Sequence, residues 1–409
     1  MMEVELIIRT RSPLVLRASR AALQFAPGLR YIPGTTLRGA LAMRYLHSHP
    51  PDRDFAALFL EEQVYFTDLY PVPGADSNTG SLRSETAGPL PATARACKRY
   101  GASHLDSLTD SLLRLELLRI AREKGMRLRS NEEWKAWEKC PTCHEKGVAN
   151  DRDRLTGTYV GLEGFKKIDT PLRLITGTSI NRATGTVEES QLFSFDALEE
   201  GQYFQGRLRL QDDTAETLLP KLTELAPVRS TLRLGMGKSR GFGRVEVVRW
   251  REWHEVERPL EVRWTQFNTA TQRLWQHFGV GKPEGEFFSL TLRSGLIWRD
   301  GLLRPQTSMP TATELGLPPS VESCCCVLNT TTVQGWNAAL GLPKADTPAL
   351  GPGSVLLYRL TDPAQKEATL TRLKAIEREG LGERQAEGFG RLHPCDPFHS
   401  FWTLREVGE

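Results

Sequence analysis

Leu234–Val247 reads LGMGKSRGFGRVEV, and a second stretch, Glu379–Leu392, reads EGLGERQAEGFGRL. Both place a Gly-x-Gly ahead of Gly-Phe-Gly-Arg: Gly235 and Gly237 before Gly241 to Arg244, then Gly380 and Gly382 before Gly388 to Arg391. Each follows a segment with helical spacing, Thr214–Ala226 in one case and Ala364–Glu379 in the other, and the first runs into a strand at 244–250. Two such units in equivalent places indicate an internal duplication at domain scale.

Glycine admits positive φ and brings backbone amides close to a ligand, and successive amides in such a loop form an anion-binding nest. Lys238, Ser239 and Arg240 add charge and a hydroxyl donor between the glycines. Arg229, Arg233, Arg244, Arg249 and Arg251 extend the positive run, in which Glu246 is the only acid. This is an electrostatic footprint for a polyanion. Nucleotide motifs fail on spacing. Gly237-Lys238-Ser239 needs a glycine at Leu232 for a P-loop, and a dinucleotide fingerprint needs one at Arg240. In the second loop Glu383 and Glu387 flank Arg384, which weakens its hold on phosphate.

The chain has 409 residues, 39% hydrophobic and 25% charged, with a net charge of +3. That length and composition suit a soluble protein of two domains, expected at 1–255 and 256–409. No apolar run reaches the roughly 20 residues of a membrane span, so a cytoplasmic protein without membrane contact is expected. Glu3–Thr10 alternates as a strand, and a helix from Thr35 or Thr36 to about Leu46 follows Pro33-Gly34. Gln63–Leu69 is a second strand, broken by Pro71 and Pro73. Residues 75–170 read as an insertion with a helix at Leu105–Glu123. Leu172–Asn181 and Thr186–Phe195 form a hairpin about Ala183–Gly185, and Gly201–Leu210 is a further strand. The order implies an α+β fold with an elaborated ferredoxin-like (RRM-like) first domain. The second half repeats the plan in outline, with strands at 286–293, 324–331 and 354–360.

Cys140 and Cys143 lie two residues apart, as in half of a zinc knuckle. Cys97 supplies a third ligand and His104 a fourth, preferred over His144, which adjoins Cys143. Zinc there would be structural, because an insertion with few apolar residues gains folding energy from the metal. Cys324, Cys325 and Cys326 read as buried small apolar residues on a strand.

Tyr31–Leu41 (YIPGTTLRGAL), the hairpin and following strand, and the first glycine loop together resemble the repeat-associated mysterious protein (RAMP) superfamily of CRISPR systems. With CKRY and CPTCH in the insertion, the chain looks most similar to the Csx-ten family of type III-D effector complexes, a resemblance carried mainly by residues 1–250. It implies two ferredoxin-like RAMP domains in a non-catalytic, antiviral-defence subunit. That subunit would hold the 5′ tag of the CRISPR RNA, beside the large polymerase-like subunit and the backbone RAMP subunits. By position, Thr35, Thr36, Arg38, Arg182, Gly235, Gly237, Lys238, Ser239, Arg240, Gly241, Arg244 and Arg384 would contact RNA. RAMP relatives that cut repeat RNA use a histidine near the first helix, and His47 and His49 stand at its end here, with Tyr31 and Tyr45 near. A metal-independent endoribonuclease is therefore one alternative reading. A zinc-stabilised scaffold that meets only protein neighbours is the other.

Overall fold

The computed structural model describes residues 1–18, 25–74, 86–128, 131–161, 165–180, 187–253, 258–337 and 340–408. In the first half, β1 (Met2–Thr10) turns Val4, Leu6 and Ile8 to one face on alternate positions, and residues 4–8 are buried on both faces. Helix α1 (Gly34–Ser48) buries Leu37, Leu41 and Tyr45 at four-residue spacing. β2 (Val64–Phe66) follows. Tyr70–Val72 adds a short edge segment where Pro71 costs no ladder bond, so the proline expected to break the strand lies within pairing distance of Phe204.

Between these strands and the rest of the sheet lies the inserted region. Its helix α2 (Leu112–Glu123) is shorter than the sequence suggested, because 105–107 winds as a 3-10 turn and Thr109–Asp110 pairs with Ala94–Cys97. The chain returns through the antiparallel strands Leu172–Ile180 and Val187–Leu198. The tip assigned to their turn, with Arg182, lies outside the described residues. Then come β3 (Tyr203–Leu210), α3 (Asp212–Leu225), β4 (Thr231–Arg233) and β5 (Arg244–Glu252). The first sheet runs β4-β5-β1-β3-β2, antiparallel throughout. Helices α1 and α3 cover one face. The other carries Glu3, Glu5, Gln205, Arg207 and Arg209.

The second half opens with α4 (Leu260–His277), a helix just past the domain boundary expected at 255/256. Leu260, Trp264, Phe267, Leu274 and Trp275 give it a buried stripe with helical spacing. Strands β6 (Glu286–Leu292), β7 (Val321–Val327) and β8 (Val355–Leu360) precede α5 (Lys366–Glu379), β9 (Leu392–Pro394) and α6 (Pro397–Glu406). This sheet runs β7-β8-β6-β9, the same order as β2-β3-β1-β5 in the first. The two halves differ in their helices: no α-helix joins β6 to β7 among the described residues, and α4, which directly precedes β6 in sequence, packs on this sheet.

Two corrections follow from packing. The insertion is not poor in apolar contacts. Leu112, Leu113, Leu117, Ile120 and Trp134 belong to one core with α4 and the second sheet, so the insertion is welded to the half that follows it in sequence. A buried chain of hydrogen bonds supports the joint, with His399 Nδ1 2.9 Å from Asp110 and its Nε2 2.9 Å from Thr291. The three adjacent cysteines are not buried: Cys324 and Cys325 are half-buried and Cys326 is exposed. A bulge between Ser323 and Cys325 breaks the alternation that would have turned one face inward. No helix among the described residues is long and apolar enough to cross a membrane.

Candidate nucleic-acid interface and metal centre

The two glycine loops share one hydrogen-bonding scheme. Leu234 N–H donates to Gly243 at 2.8 Å, and Leu381 N–H donates to Gly390 at 2.9 Å. Gly243 N–H reaches Pro13 at 2.9 Å and Gly390 N–H reaches Gly295 at 2.8 Å. The Arg244 amide donates to Ser12 Oγ at 2.9 Å, and the Arg391 amide donates to Ser294 Oγ at 3.0 Å. These bonds correct the alignment read from sequence. Gly235 pairs with Gly382 rather than Gly380, Gly237 pairs with Arg384, and Lys238-Ser239-Arg240 occupies the place of Gln385-Ala386-Glu387. Both triplets form a 3-10 turn between left-handed residues: Gly237 (φ 69°) and Gly241 (φ 89°) in one, Arg384 (φ 59°) and Gly388 (φ 103°) in the other. A further repeat went unread. Arg11-Ser12-Pro13-Leu14-Val15 and Arg293-Ser294-Gly295-Leu296-Ile297 follow the first strand of each half and clamp the loops, a pattern of Arg-Ser-x-Leu-aliphatic that was visible all along.

The surroundings of the loops diverge. In the first, Ser239, Arg240, Gly241 and Arg244 are exposed and Lys238 is half-buried. The side chains of Lys238, Ser239, Arg240 and Arg244 make no hydrogen bond or ion pair with the described residues. Loss of water contact and the neighbouring Arg233 guanidinium hold the Lys238 ammonium below its ordinary value. A Cβ on Gly241 would meet nothing within 4 Å, so the amide side of this turn is open. Below it, Phe242 packs edge-on to Phe195 of the hairpin, 6.1 Å between centroids.

The second loop is docked within the chain. A Cβ on Gly388 would lie 2.5 Å from the Phe66 carbonyl, and Ala386 is buried. Glu387 receives Arg384 at 2.5 Å and Lys344 at 3.0 Å, with Arg38 at 3.9 Å. Burial opposes ionisation of Glu387, but these cations outweigh it and hold its carboxyl below the usual value. Arg38 therefore meets the second loop, while the half-buried Thr35 and Thr36 follow Gly34, which lies beside Gly388. Neither threonine caps α1: Pro33 is the capping residue and makes no side-chain bond. The Gly34 amide donates instead to Asp68 at 2.9 Å, so a carboxylate of the chain already occupies the positive end of the helix. Burial raises that carboxyl to about 7, partly countered by the Gly34 amide. His47 lies in the last turn of α1 rather than beyond it, and His49 follows, its ring packed on Tyr45 at 4.8 Å.

Cys97, His104, Cys140 and Cys143 come together, their donor atoms all within 4.8 Å of one another. Cys97 closes the strand Ala94–Cys97, and Cys140 caps the short helix Pro141–Glu145 that contains Cys143. His104 presents Nδ1 at 3.4 Å from the Cys140 sulfur and 3.6 Å from that of Cys143. Cys97 and Cys143 sulfurs are 3.8 Å apart. Asn150 Nδ2 donates to Cys97 at 3.0 Å and to Cys143 at 3.4 Å, and the Tyr100 amide donates to Cys97 at 3.4 Å. Burial disfavours a Cys97 thiolate, but the amides of Tyr100 and Arg99 and the neighbouring thiols outweigh it, so its pKa falls below the ordinary value. The four residues are positioned to bind a metal ion.

The geometry defines a mixed α/β protein built on two copies of a glycine-loop unit, one copy open and basic. The chain belongs to the RAMP superfamily, whose profile matches residues 7–246, more than half of its length. Among solved structures it is similar to a chain of the type III-B Cmr-beta complex bound to cognate target RNA and AMPPnP: 13% identity, covering 98% of this chain and 94% of that chain, with a TM-score of 0.42. It is also similar to oligomeric Cmr4 from Pyrococcus furiosus, at 11% identity over 62% of this chain and 100% of that chain, with a TM-score of 0.28. No curated protein matches the chain.

Proposed function

We propose that this chain is a non-catalytic subunit of a type III CRISPR effector complex, of the type III-D kind, that grips the 5′ tag of the guide RNA with its first glycine loop. In this reading its two sheets are ferredoxin-like units, and it sits between the large polymerase-like subunit and the backbone RAMP subunits. One observation carries the reading. Of two loops with the same backbone bonds, only the first leaves its cations without partners and its amide side open. Phosphate oxygens supply what those groups lack.

The test is filter binding of tag RNA to the purified chain across a salt series. In Lys238→Ala/Arg240→Ala, affinity should fall about tenfold or more, and the salt slope should flatten by about 1.4 for two lost single-strand phosphate contacts. Unchanged affinity and slope would overturn the loop assignment in favour of a scaffold role. Tag RNA incubated without metal should stay intact; site-specific cleavage lost in His47→Ala would establish the nuclease reading instead.

For the cysteine cluster we propose structural zinc. Zn–S and Zn–N bonds of about 2.3 and 2.05 Å in a tetrahedron set S···S near about 3.8 Å and S···N near about 3.6 Å. Three of the six separations, 3.8, 3.4 and 3.6 Å, match these edges, and all six lie within 4.8 Å. Such an ion would tie the strand Ala94–Cys97 to the helix at 141–145, with Asn150 orienting two ligands from outside. Metal analysis should find one zinc per chain and none in Cys140→Ser, with a stability loss on the order of 3 kcal/mol in denaturant titration.

A further inference from the structure

Away from the first loop, the face of the first sheet opposite α1 and α3 and the second half enclose a cleft of about 630 Å³. Gln205, Arg207 and Arg209 of β3 form one wall; Arg263, Arg391 and His393 stand on the other. Five acids line the cleft; Glu3, Glu261 and Glu377 hold cations of the chain, and Asp68 and Glu252 line it as well. Glu3 is shared by Arg207 at 3.3 Å and Arg209 at 2.9 Å, and Glu377 takes Arg263 at 2.7 Å. Two guanidinium groups remain under-served. Arg209 is 1% exposed, yet its Nη1 has no hydrogen-bond partner. Arg391, the last residue of the second Gly-Phe-Gly-Arg, has no carboxylate partner among the described residues and reaches only the Arg378 carbonyl at 3.4 Å. Arg209 is closed to the cleft, so Arg391 and the half-buried Arg207 are the guanidinium groups that a charged acceptor can reach. The Arg207 guanidinium lies 3.9 Å over the Trp253 ring, which fixes a cationic plate on the same wall. The cavity exceeds what one phosphate fills and falls within the range of small-ligand sites.

We propose that this cleft is a second anion site, shaped for a nucleotide-sized phosphate ester, with Arg207 and Arg391 taking phosphate oxygens. It uses none of the first-loop residues, so it stands or falls separately from the tag-binding reading. The same chemistry is offered by a free nucleoside triphosphate and by the phosphorylated end of an RNA. The test is calorimetry of the purified chain with ATP, and with one short single-stranded RNA carrying either a 5′-phosphate or a 5′-hydroxyl. Arg391→Gln should weaken binding of ATP or of the phosphorylated RNA about tenfold or more, while Lys238→Ala/Arg240→Ala leaves ATP binding unchanged. A preference for 5′-phosphate over 5′-hydroxyl with weak ATP binding identifies an RNA end as the ligand; tight ATP binding with no such preference identifies a free nucleotide. Arg207→Gln, at a half-buried position, repeats the measurement should Arg391→Gln lose the wild-type thermal unfolding. Binding equal to wild type in either folded variant, no binding of ATP or 5′-phosphorylated RNA by wild type, or loss of ATP binding in the loop variant would each overturn the proposal.

Discussion

The glycine loops at 234–244 and 381–391 share their hydrogen bonds and their left-handed turn residues, yet they face opposite surroundings. The first ends its 3-10 turn on Arg240, exposed and unpaired; the second ends it on Glu387, enclosed by three cations. A duplicated backbone has thus been kept while the charge on its tip was inverted. The inversion follows from where each tip lies. A buried tip must satisfy its charges within the chain, whereas an exposed cationic tip is free to take an outside anion. Tethered by Glu387 and seated on Phe66, the second loop closes one half of the molecule onto the other.

The largest effects should come from breaking what the loops have in common. A Cβ at Gly390 would lie 1.8 Å from the Leu381 carbonyl oxygen, and one at Gly243 would lie 2.1 Å from that of Leu234. Both glycines have positive φ, 74° and 80°. Backbone displacement is the only escape, so Gly390→Ala and Gly243→Ala should each cost more than about 3 kcal/mol in urea unfolding. A loss below 1 kcal/mol at either position would mean that the shared scaffold is looser than its hydrogen bonds suggest.

Exchanging the tip charges should separate the loops. Glu387→Arg sets a cation against Arg38, Arg384 and Lys344 in a half-buried joint, with an expected cost of about 2–4 kcal/mol. The reciprocal Arg240→Glu lies on the surface and should change stability by no more than about 0.5 kcal/mol. Its effect belongs to RNA affinity, which should fall about tenfold or more while Glu387→Arg protein that remains folded binds as before. Equal stability losses from the two exchanges would erase the distinction between docked and open copies.

Much of this comparison was legible in the sequence, and the reasons for the rest are physical. Glycine spacing marks positions of positive φ directly, so the loops, the flanking helices and the first-sheet strands could be read. The metal cluster was legible for a similar reason: two thiols two residues apart constrain where a third and fourth ligand must lie, and His104 arrives there. The register between the loops was not. It depends on Arg384 taking the left-handed place of Gly237, which a non-glycine residue adopts only where tertiary contacts compensate, here Glu387 and the Phe389 ring at 5.0 Å. Helix α4 was legible in principle from its Trp264, Phe267, Leu274 and Trp275 stripe, but an expected domain boundary overlay it. The cleft was hidden because Arg207 and Arg391 are far apart in the sequence and meet only through the pairing of the halves. The seat of Arg38 beside the second loop was hidden likewise: an exposed helix start and a covered one read the same until the covering loop is placed.

A last pair of variants isolates backbone conformation from docking at one equivalent position. Gly241 and Gly388 both follow the 3-10 turn with left-handed φ, 89° and 103°. Around Gly241 an added methyl meets nothing, so Gly241→Ala should pay only for the unfavourable φ, about 1 kcal/mol. At Gly388 the same methyl presses on the Phe66 carbonyl at 2.5 Å and should add a steric cost, bringing the total to about 2–3 kcal/mol. Paired urea titrations of the two variants therefore read out the docking contact by difference. Loss of RNA affinity in Gly241→Ala, with the fold retained, would further locate bound phosphate at this open amide face, since the methyl would stand where the backbone approaches its ligand. If the two alanines cost the same, the second loop would not be seated on Phe66, and its inverted charge would need another cause.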